Sequence, residues 1–301
     1  MAETNQETGY PEPPKIDLSK IKNTEALKKA SIEERQFAKD LEEKAEISAI
    51  KRNKSKFNFT EEYEVELPSK GIFYKNEKDK EIRKGYVTIR PMSVAEEEIL
   101  SNKNYLKSGS TFRRVFDACI CNDFEAKKLC SYDAYYLMYA LRKYSYGDEY
   151  DLKLTCPDCE NEYDYTLDIS EIPFEELDES LEYSRTIKLP VSKYTVVMHV
   201  ATLEDDEKLE KLKRRYPNQS ETVLTYYNLT EQVLDNEGDE IPMEDWMDFF
   251  NALPVRDKGE IVNKFEKDSM IPEIPVVCTK CGAEHKMAIP MQAGFFRVRR
   301  E

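Results

Sequence analysis

The chain has 301 residues, enough for one large domain or two ordinary ones, and 40% of them are hydrophobic. That fraction supports a packed core and excludes wholesale disorder. The net charge of −15 argues against nucleic acid as a partner, because duplex-binding proteins usually present a basic face. No apolar run approaches the ~20 residues of a membrane helix, and the first residues lack the pattern of a signal peptide. We therefore expect a cytosolic protein with no membrane partner.

Residues 1–56 differ in composition from the rest of the chain. Two Pro-rich turns precede a highly charged stretch in which apolar residues are sparse. Residues such as Glu33, Glu34 and Lys39 are typical of a solvated helix with pairs four residues apart. The sequence predicts a charged N-terminal arm, helical or flexible. The alternative is a segment that becomes ordered on a partner.

From residue 57 the pattern becomes that of a folded unit. The stretch 57–74 alternates apolar and polar residues, which is typical of a half-buried strand, and Gly85–Met92 predicts a second strand after a polar loop. Ser93, with a glutamate three residues later, is a capping-box signature for a helix start. Two amphipathic helices follow, the second ending at Gly147. A strand, a CxxC turn and a strand then end this first half, residues 57–175.

The same order of elements recurs in the second half, residues 183–301. Leu189–Ala201 predicts a strand, and Thr202, with an aspartate three residues later, predicts a helix start. The stretches 220–236 and 243–268 predict further helices. A strand, a CxxC turn and a strand again close the half.

The two halves also match around their cysteines. Leu67-Pro68 and Leu189-Pro190 precede their respective CxxC motifs by the same number of residues. After the second cysteine of each motif, the matching pairs are Glu162 with Glu284, Tyr165 with Met287, Leu167 with Ile289, and Phe174 with Phe296. We infer one α+β domain, residues 57–301, built from two diverged strand–helix–CxxC-knuckle halves.

The cysteine spacing predicts a metal site. Four thiolates suit tetrahedral zinc, and two CxxC pairs are a frequent way to supply them. Each pair here lies between two extended stretches, whereas a thioredoxin-like CxxC opens a helix. The sequence therefore predicts one structural Zn²⁺ that joins the two halves, against separate redox pairs or idle thiols. The ligands would be Cys156, Cys159, Cys278 and Cys281.

The remaining motifs give no catalytic set. A zinc with four sulfur ligands has no open position for water, and Walker, GxGxxG, GxSxG and HExxH motifs are absent from the sequence. His285 is close enough in sequence to be a ligand, but its counterpart in the first half is Tyr163, so we interpret it as a strand side chain. We interpret His199 as a packed or rim histidine. We expect Cys119, Cys121 and Cys130 to be small core residues, and the protein not to be an enzyme.

Charge runs have ordinary explanations. Glu96–Glu98 and Glu204–Glu207 lie in the first turns of predicted helices, where carboxylates interact favourably with the helix dipole. We prefer this explanation to the binding of a hard metal ion. The basic stretches Lys51–Lys56 and Arg297–Arg300 are typical of solvated tails in so acidic a chain.

Three motifs in order resemble a known family. They are a Leu-Pro-Ser-x-Gly-x-x-Tyr opening, an Arg-x-Met-Ser-x-x-Glu-Glu stretch, and Ser-Tyr-Gly-x-Glu-Tyr running into CxxC. The residues are Leu67, Pro68, Ser69, Gly71 and Tyr74; Arg90, Met92, Ser93, Glu96 and Glu97; and Ser145, Tyr146, Gly147, Glu149 and Tyr150. The chain thereby resembles the baseplate hub assembly proteins of T-even-like contractile-tailed bacteriophages. The second half departs from the pattern, since its Leu-Pro is not followed by the glycine.

The resemblance implies a late viral protein with no enzymatic activity. It would be a structural or chaperone-like assembly protein of the tail baseplate hub, in contact with other hub or tail-tube proteins. Its location would be the host cytoplasm during assembly, or the baseplate of the virion tail. The candidate partner-binding residues are Leu67, Pro68, Ser69, Gly71, Tyr74 and Tyr146.

Two other functions remain open from the sequence. One is a zinc-ribbon adapter that binds nucleic acid or a transcription partner, which the acidic charge disfavours. The other is a thiol redox protein, in which the two CxxC pairs act separately.

Overall fold

A computed structural model describes residues 61–269, 272–288 and 293–296, all within the compact unit Phe59–Glu301. The predicted arm 1–56, including its basic stretch, and the basic stretch at 297–300 lie outside the described residues. Within the described part, none of the helices has both the length and the apolar character needed to cross a bilayer. The elements are a mixture of helices and strands, as the α+β prediction requires.

A short hairpin and a group of helices make up the first part of the described chain. Strands β1 and β2 pair antiparallel, and β3 and β4 form a second, longer hairpin. The bounds are β1 Tyr63–Glu66, α1 Lys80–Arg83, β2 Tyr86–Ile89, α2 Val94–Ser101, α3 Lys103–Ser108, α4 Thr111–Cys119, α5 Ser131–Tyr146, β3 Glu149–Thr155 and β4 Glu162–Asp168.

The second part begins with a three-stranded antiparallel sheet in the order β5-β6-β7 and ends with the hairpin β8–β9. The bounds are β5 Ser184–Lys188, β6 Thr195–His199, α6 Leu203–Arg215, α7 Glu221–Leu229, β7 Thr230–Leu234, α8 Trp246–Asn251, α9 Val255–Ser269, β8 Glu273–Val277 and β9 Glu284–Ala288. Short 3₁₀ turns lie at Ala126–Lys128, Ile169–Glu171, Met243–Asp245 and Ala293–Phe296.

Two hydrophobic cores organise these elements. The larger core is built mainly from β1, β2, α4 and α5, and it also takes in Ile274 and Val276 of β8 and the buried Phe295 and Phe296. The smaller core lies between the β5-β6-β7 sheet and helices α7, α8 and α9, with Trp246 and Phe250 as its largest members. The C-terminal hairpin therefore packs into the core formed by the first part of the chain.

The predicted helix starts are confirmed at two positions. Ser93 and Glu96 form a capping box at the start of α2, and Thr202 and Asp205 form one at the start of α6. Each box satisfies backbone N–H groups that have no partner within the helix. Gly147 follows the last residue of α5, as predicted, with a φ of +92° that favours glycine.

Four predicted segments differ from the structure. The polar loop before β2 contains the short helix α1. Its first backbone N–H groups donate hydrogen bonds to the side chain of Asp79. The helix predicted over 220–236 ends at Leu229, and the chain continues as β7 because those residues pair with β6. The strands predicted over 57–74 and 189–201 are interrupted, since each Leu-Pro sequence begins a turn.

Two buried aspartates hold these Leu-Pro turns. Asp133, the third residue of α5, accepts hydrogen bonds from the N–H of Ser69 at 3.0 Å, from Ser69 Oγ at 2.5 Å and from the Tyr74 hydroxyl at 2.7 Å. Asp257, the third residue of α9, accepts from the N–H groups of Val191 at 2.7 Å and Ser192 at 2.9 Å. Both aspartates are fully buried. Each turn is thus fixed to the first turn of a distant helix.

Close backbone contact explains the glycines of the first turn. Gly71 has a φ of +77°, and a Cβ at that position would lie 2.5 Å from the carbonyl oxygen of Arg83. A Cβ on Gly85 would come equally close to Lys70. Only glycine allows the two chain segments to approach this closely.

Candidate metal centre

The two CxxC motifs occupy the turns of the hairpins β3–β4 and β8–β9. In the first turn, the N–H of Cys156 donates to Asn161 O at 2.9 Å, and the N–H of Glu160 donates to Cys156 O at 2.9 Å. The second turn has the same two bonds, from Cys278 to Ala283 and from Gly282 to Cys278, at 2.9 and 3.0 Å. Glu160 and Gly282 both have positive φ, +56° and +71°. The two motifs therefore share one backbone conformation.

The fold brings all four predicted ligands together. The Sγ atoms of Cys156 and Cys281 are 3.7 Å apart, as are those of Cys159 and Cys278. All four sulfurs lie within 4.8 Å of one another, and none of the seven cysteines forms a disulfide. A tetrahedron of sulfurs about 2.3 Å from a central zinc has edges of about 3.8 Å. The donor set and its spacing therefore fit one zinc ion.

Backbone donors favour the thiolate at one of the four cysteines. Hydrogen bonds from the N–H groups of Cys281 and Lys280 lower the pKa of Cys278 to about 6, whereas hydrogen bonds with neighbouring thiols raise the pKa of Cys281 to about 12. Lys280 N lies 3.4 Å from Cys278 Sγ. Thiolates are the ligand form of cysteine, so this turn favours the charge state that a metal requires.

Burial is graded across the four ligands. Cys156 and Cys278 are buried, Cys159 is partly buried and Cys281 is exposed. A zinc ion held by all four sulfurs would have no open position for substrate or activated water. The chemistry available to the site is the joining of two hairpins whose cysteines are up to 125 residues apart.

His285 is a neighbour of the site that sequence reasoning placed only in a strand. It does lie in β9, and its Nε2 atom is 3.5 Å from Cys156 Sγ and 3.9 Å from an Asp158 carboxylate oxygen. The mutually close ligand atoms among the described residues are those of the four cysteines alone. His285 therefore contacts one of the four cysteines but is not itself a member of the cluster. The one available signal was its position seven residues after Cys278 in the strand that leaves the turn.

The first Leu-Pro turn, predicted to bind a partner, lies in the interior of the fold. Leu67, Ser69 and Tyr74 are 1%, 0% and 3% exposed, and Tyr74 also accepts a hydrogen bond from the N–H of Cys130. Pro68 and Gly71 are buried as well. Tyr146 is half-buried and donates to Glu97. Partner binding by these residues stays a prediction, while their packing already explains the motif.

The other predicted thiols and histidines differ in their surroundings. Cys119 and Cys130 are fully buried, as expected, and burial raises the pKa of Cys130 well above its ordinary value. Cys121 is exposed, so its prediction as a core residue is wrong, because α4 ends at Cys119 and the chain turns outward. His199 is a rim histidine, 3.2 Å from Asp205.

The described residues form a mixed α and β fold in which two hairpin turns bring four cysteines together. Residues 60–297 match the family model described as the T4 bacteriophage base plate protein. The chain belongs to this family, as the three sequence motifs predicted. No curated protein and no solved structure matches the chain significantly. Membership gives the chain a structural role in a phage tail baseplate, in contact with other tail or baseplate proteins.

Proposed function

We propose that the chain is a structural or chaperone-like assembly protein of the baseplate hub that acts through contacts with other hub or tail-tube proteins. The observation that carries this proposal is the family match over residues 60–297. The described site supports it, since four sulfurs suit a structural ion and leave no position for catalysis. The chain would assemble in the host cytoplasm and either leave or remain in the virion tail.

The ion in this proposal is Zn²⁺, held by Cys156, Cys159, Cys278 and Cys281. Edges of 3.7 Å between sulfurs from the two hairpins support zinc coordination. Bound zinc would tie β8–β9 to β3–β4 and hold the C-terminal hairpin against the larger core.

The domain in this proposal, residues 57–301, consists of two diverged copies at about 57–175 and 183–301, preceded by a charged arm at 1–56. Three shared devices support the repeat. Each half has a Leu-Pro turn held by an aspartate at the third position of a helix, a capping box after its hairpin, and a CxxC turn with a positive φ at the fourth residue after the first cysteine.

Co-purification tests the proposed partners. The full chain, expressed with hub and tail-tube proteins of the same phage, is expected to co-elute with at least one of them after affinity capture. A chain that elutes alone beside every tail protein contradicts the proposal. Mass spectrometry of assembly intermediates and mature virions then separates the two roles. A structural protein is present in both, whereas a chaperone is present in the intermediates only.

A further inference from the structure

The two proposed copies meet through the N-terminal ends of two helices. The N–H of Ser131, the first residue of α5, donates to Ala201 O at 2.8 Å, and the N–H of Leu203, the first residue of α6, donates to Leu129 O at 3.0 Å. Leu203 is 7% exposed there. The first N–H groups of a helix have no partner within it, so this pairing satisfies one from each helix.

The same pair of helix ends occurs a second time in the repeat, without being joined. Val255 corresponds to Ser131, because each begins a helix two residues before the aspartate that holds a Leu-Pro turn. Val94 corresponds to Leu203, because each follows the N-cap of a capping box. Val255 is 83% exposed and Val94 is 73% exposed, the highest values among the large hydrophobic residues of the described part. Each chain thus exposes two helix ends, at Val255 and Val94, that correspond to the two helix ends joined inside the molecule.

Charge favours pairing of these two ends. The exposed residues next to Val255 include Arg256 and Lys258, whereas Val94 is followed by the exposed Glu97 and Glu98. Opposite charges across an interface fix its register and speed its formation.

Val191 extends the apolar surface at the start of α9. It is 45% exposed, and its N–H is bound by Asp257 in the same helical turn that begins at Val255. An exposed apolar patch flanked by charge is the usual composition of a protein interface.

We propose that the protein associates with itself head to tail, the surface around Val255 of one copy binding the surface around Val94 of the next. The inference uses the proposed repeat as its template and needs no other baseplate protein. Because the two surfaces differ, the interface is heterologous, and repeated use of it gives a closed ring or a filament.

Two substitutions test this arrangement. Val255→Glu and Val94→Lys each introduce a charge of the same sign as the surface proposed to bind there, and each leaves the other surface of the chain intact. Light scattering on the purified full-length chain is expected to show oligomers for the wild type and monomers for either variant alone. An equimolar mixture of the two variants is expected to associate again, since one intact surface of each kind remains.

The control is Met243→Lys, an exposed apolar residue elsewhere, which is expected to leave the oligomers unchanged. Thermal unfolding of all variants checks that they fold. A wild type that stays monomeric up to its solubility limit overturns the proposal. So does a variant that associates like the wild type, or a mixture that stays monomeric. Because only the purified chain is used, none of these outcomes depends on the hub partners.

Discussion

Asp133 and Asp257 show what single residues contribute to this fold. Each is buried, and each accepts hydrogen bonds from residues that lie 59 to 66 positions earlier in the chain. Their only local signal is a shared position, the third residue of a helix. The cysteines could be predicted because metal binding imposes a characteristic spacing on the sequence. Hydrogen bonds between residues so far apart in the chain impose no such pattern.

Replacing Asp133 by alanine tests the importance of this contact. The change leaves the N–H of Ser69 and the hydroxyl of Tyr74 buried without their acceptor, so we expect a loss of about 3 kcal/mol in the free energy of unfolding. Denaturant unfolding measures it. The matched control is Asp239→Ala, an exposed aspartate whose loss is expected to stay within about 0.5 kcal/mol. Equal stability of the two variants would refute the role of Asp133.

Two glycines are expected to respond in opposite directions to alanine. Gly71→Ala places a Cβ 2.5 Å from a backbone oxygen at a positive φ, so it should destabilise the protein by more than about 1 kcal/mol. Gly259 lies inside α9, where a Cβ meets no atom within 4 Å. Gly259→Ala should stabilise by about 0.5–1 kcal/mol, because alanine favours a helix. Melting temperatures that shift in the same direction would contradict this explanation.

Among the helices and strands, the boundaries that depend on neighbouring residues could be predicted from the sequence. The capping boxes and Gly147 set helix ends through neighbouring residues, and they lie where predicted. Strand β7 was predicted as helix because its residues continue the pattern of α7, and only pairing with β6 decides otherwise. Helix α1 has four residues, which is too short for periodicity to identify.

The capping box of α2 makes a prediction about pH. Burial alone raises the pKa of Glu96, but hydrogen bonds from Arg90 and Ser93 hold it below its ordinary value of 4.5. A carboxylate whose pKa is lowered by folding stabilises the protein above its unfolded pKa, and this contribution is lost as the pH falls. Glu96→Gln should therefore cost about 1–2 kcal/mol at pH 7 and progressively less below about pH 4.5.

Denaturant unfolding at a series of pH values measures this difference. Glu98→Gln, an exposed change on the same helix, serves as the control and should behave as the wild type does. A difference between the Glu96 variant and the wild type that is constant from pH 7 to pH 3 would contradict the assignment.

For the molecule as a whole, the cysteine cluster lies where two hairpins that are far apart in the sequence meet. Ile274, Val276 and Phe295 insert into a core otherwise formed mainly by residues before 180. A metal bound only by the folded chain adds its binding free energy to folding, about 2.7 kcal/mol when free metal exceeds Kd 100-fold. A crosslink that closes so long a loop restricts the unfolded chain more than one that closes a short loop.

Loss of one ligand should therefore lower stability. We expect Cys156→Ser to melt at a lower temperature than the wild type and to release zinc to a chelator more readily. Cys121→Ser removes an exposed cysteine outside the cluster and should change neither property. If both variants melt together and retain equal zinc, the cluster does not hold the fold.

X-ray absorption at the zinc edge on the purified full-length chain tests whether the four cysteines hold a metal ion. We expect one zinc per chain with four sulfur neighbours at about 2.3 Å. A nitrogen ligand in place of a sulfur, or metal-free protein with Cys156–Cys159 and Cys278–Cys281 oxidised to disulfides, would contradict it.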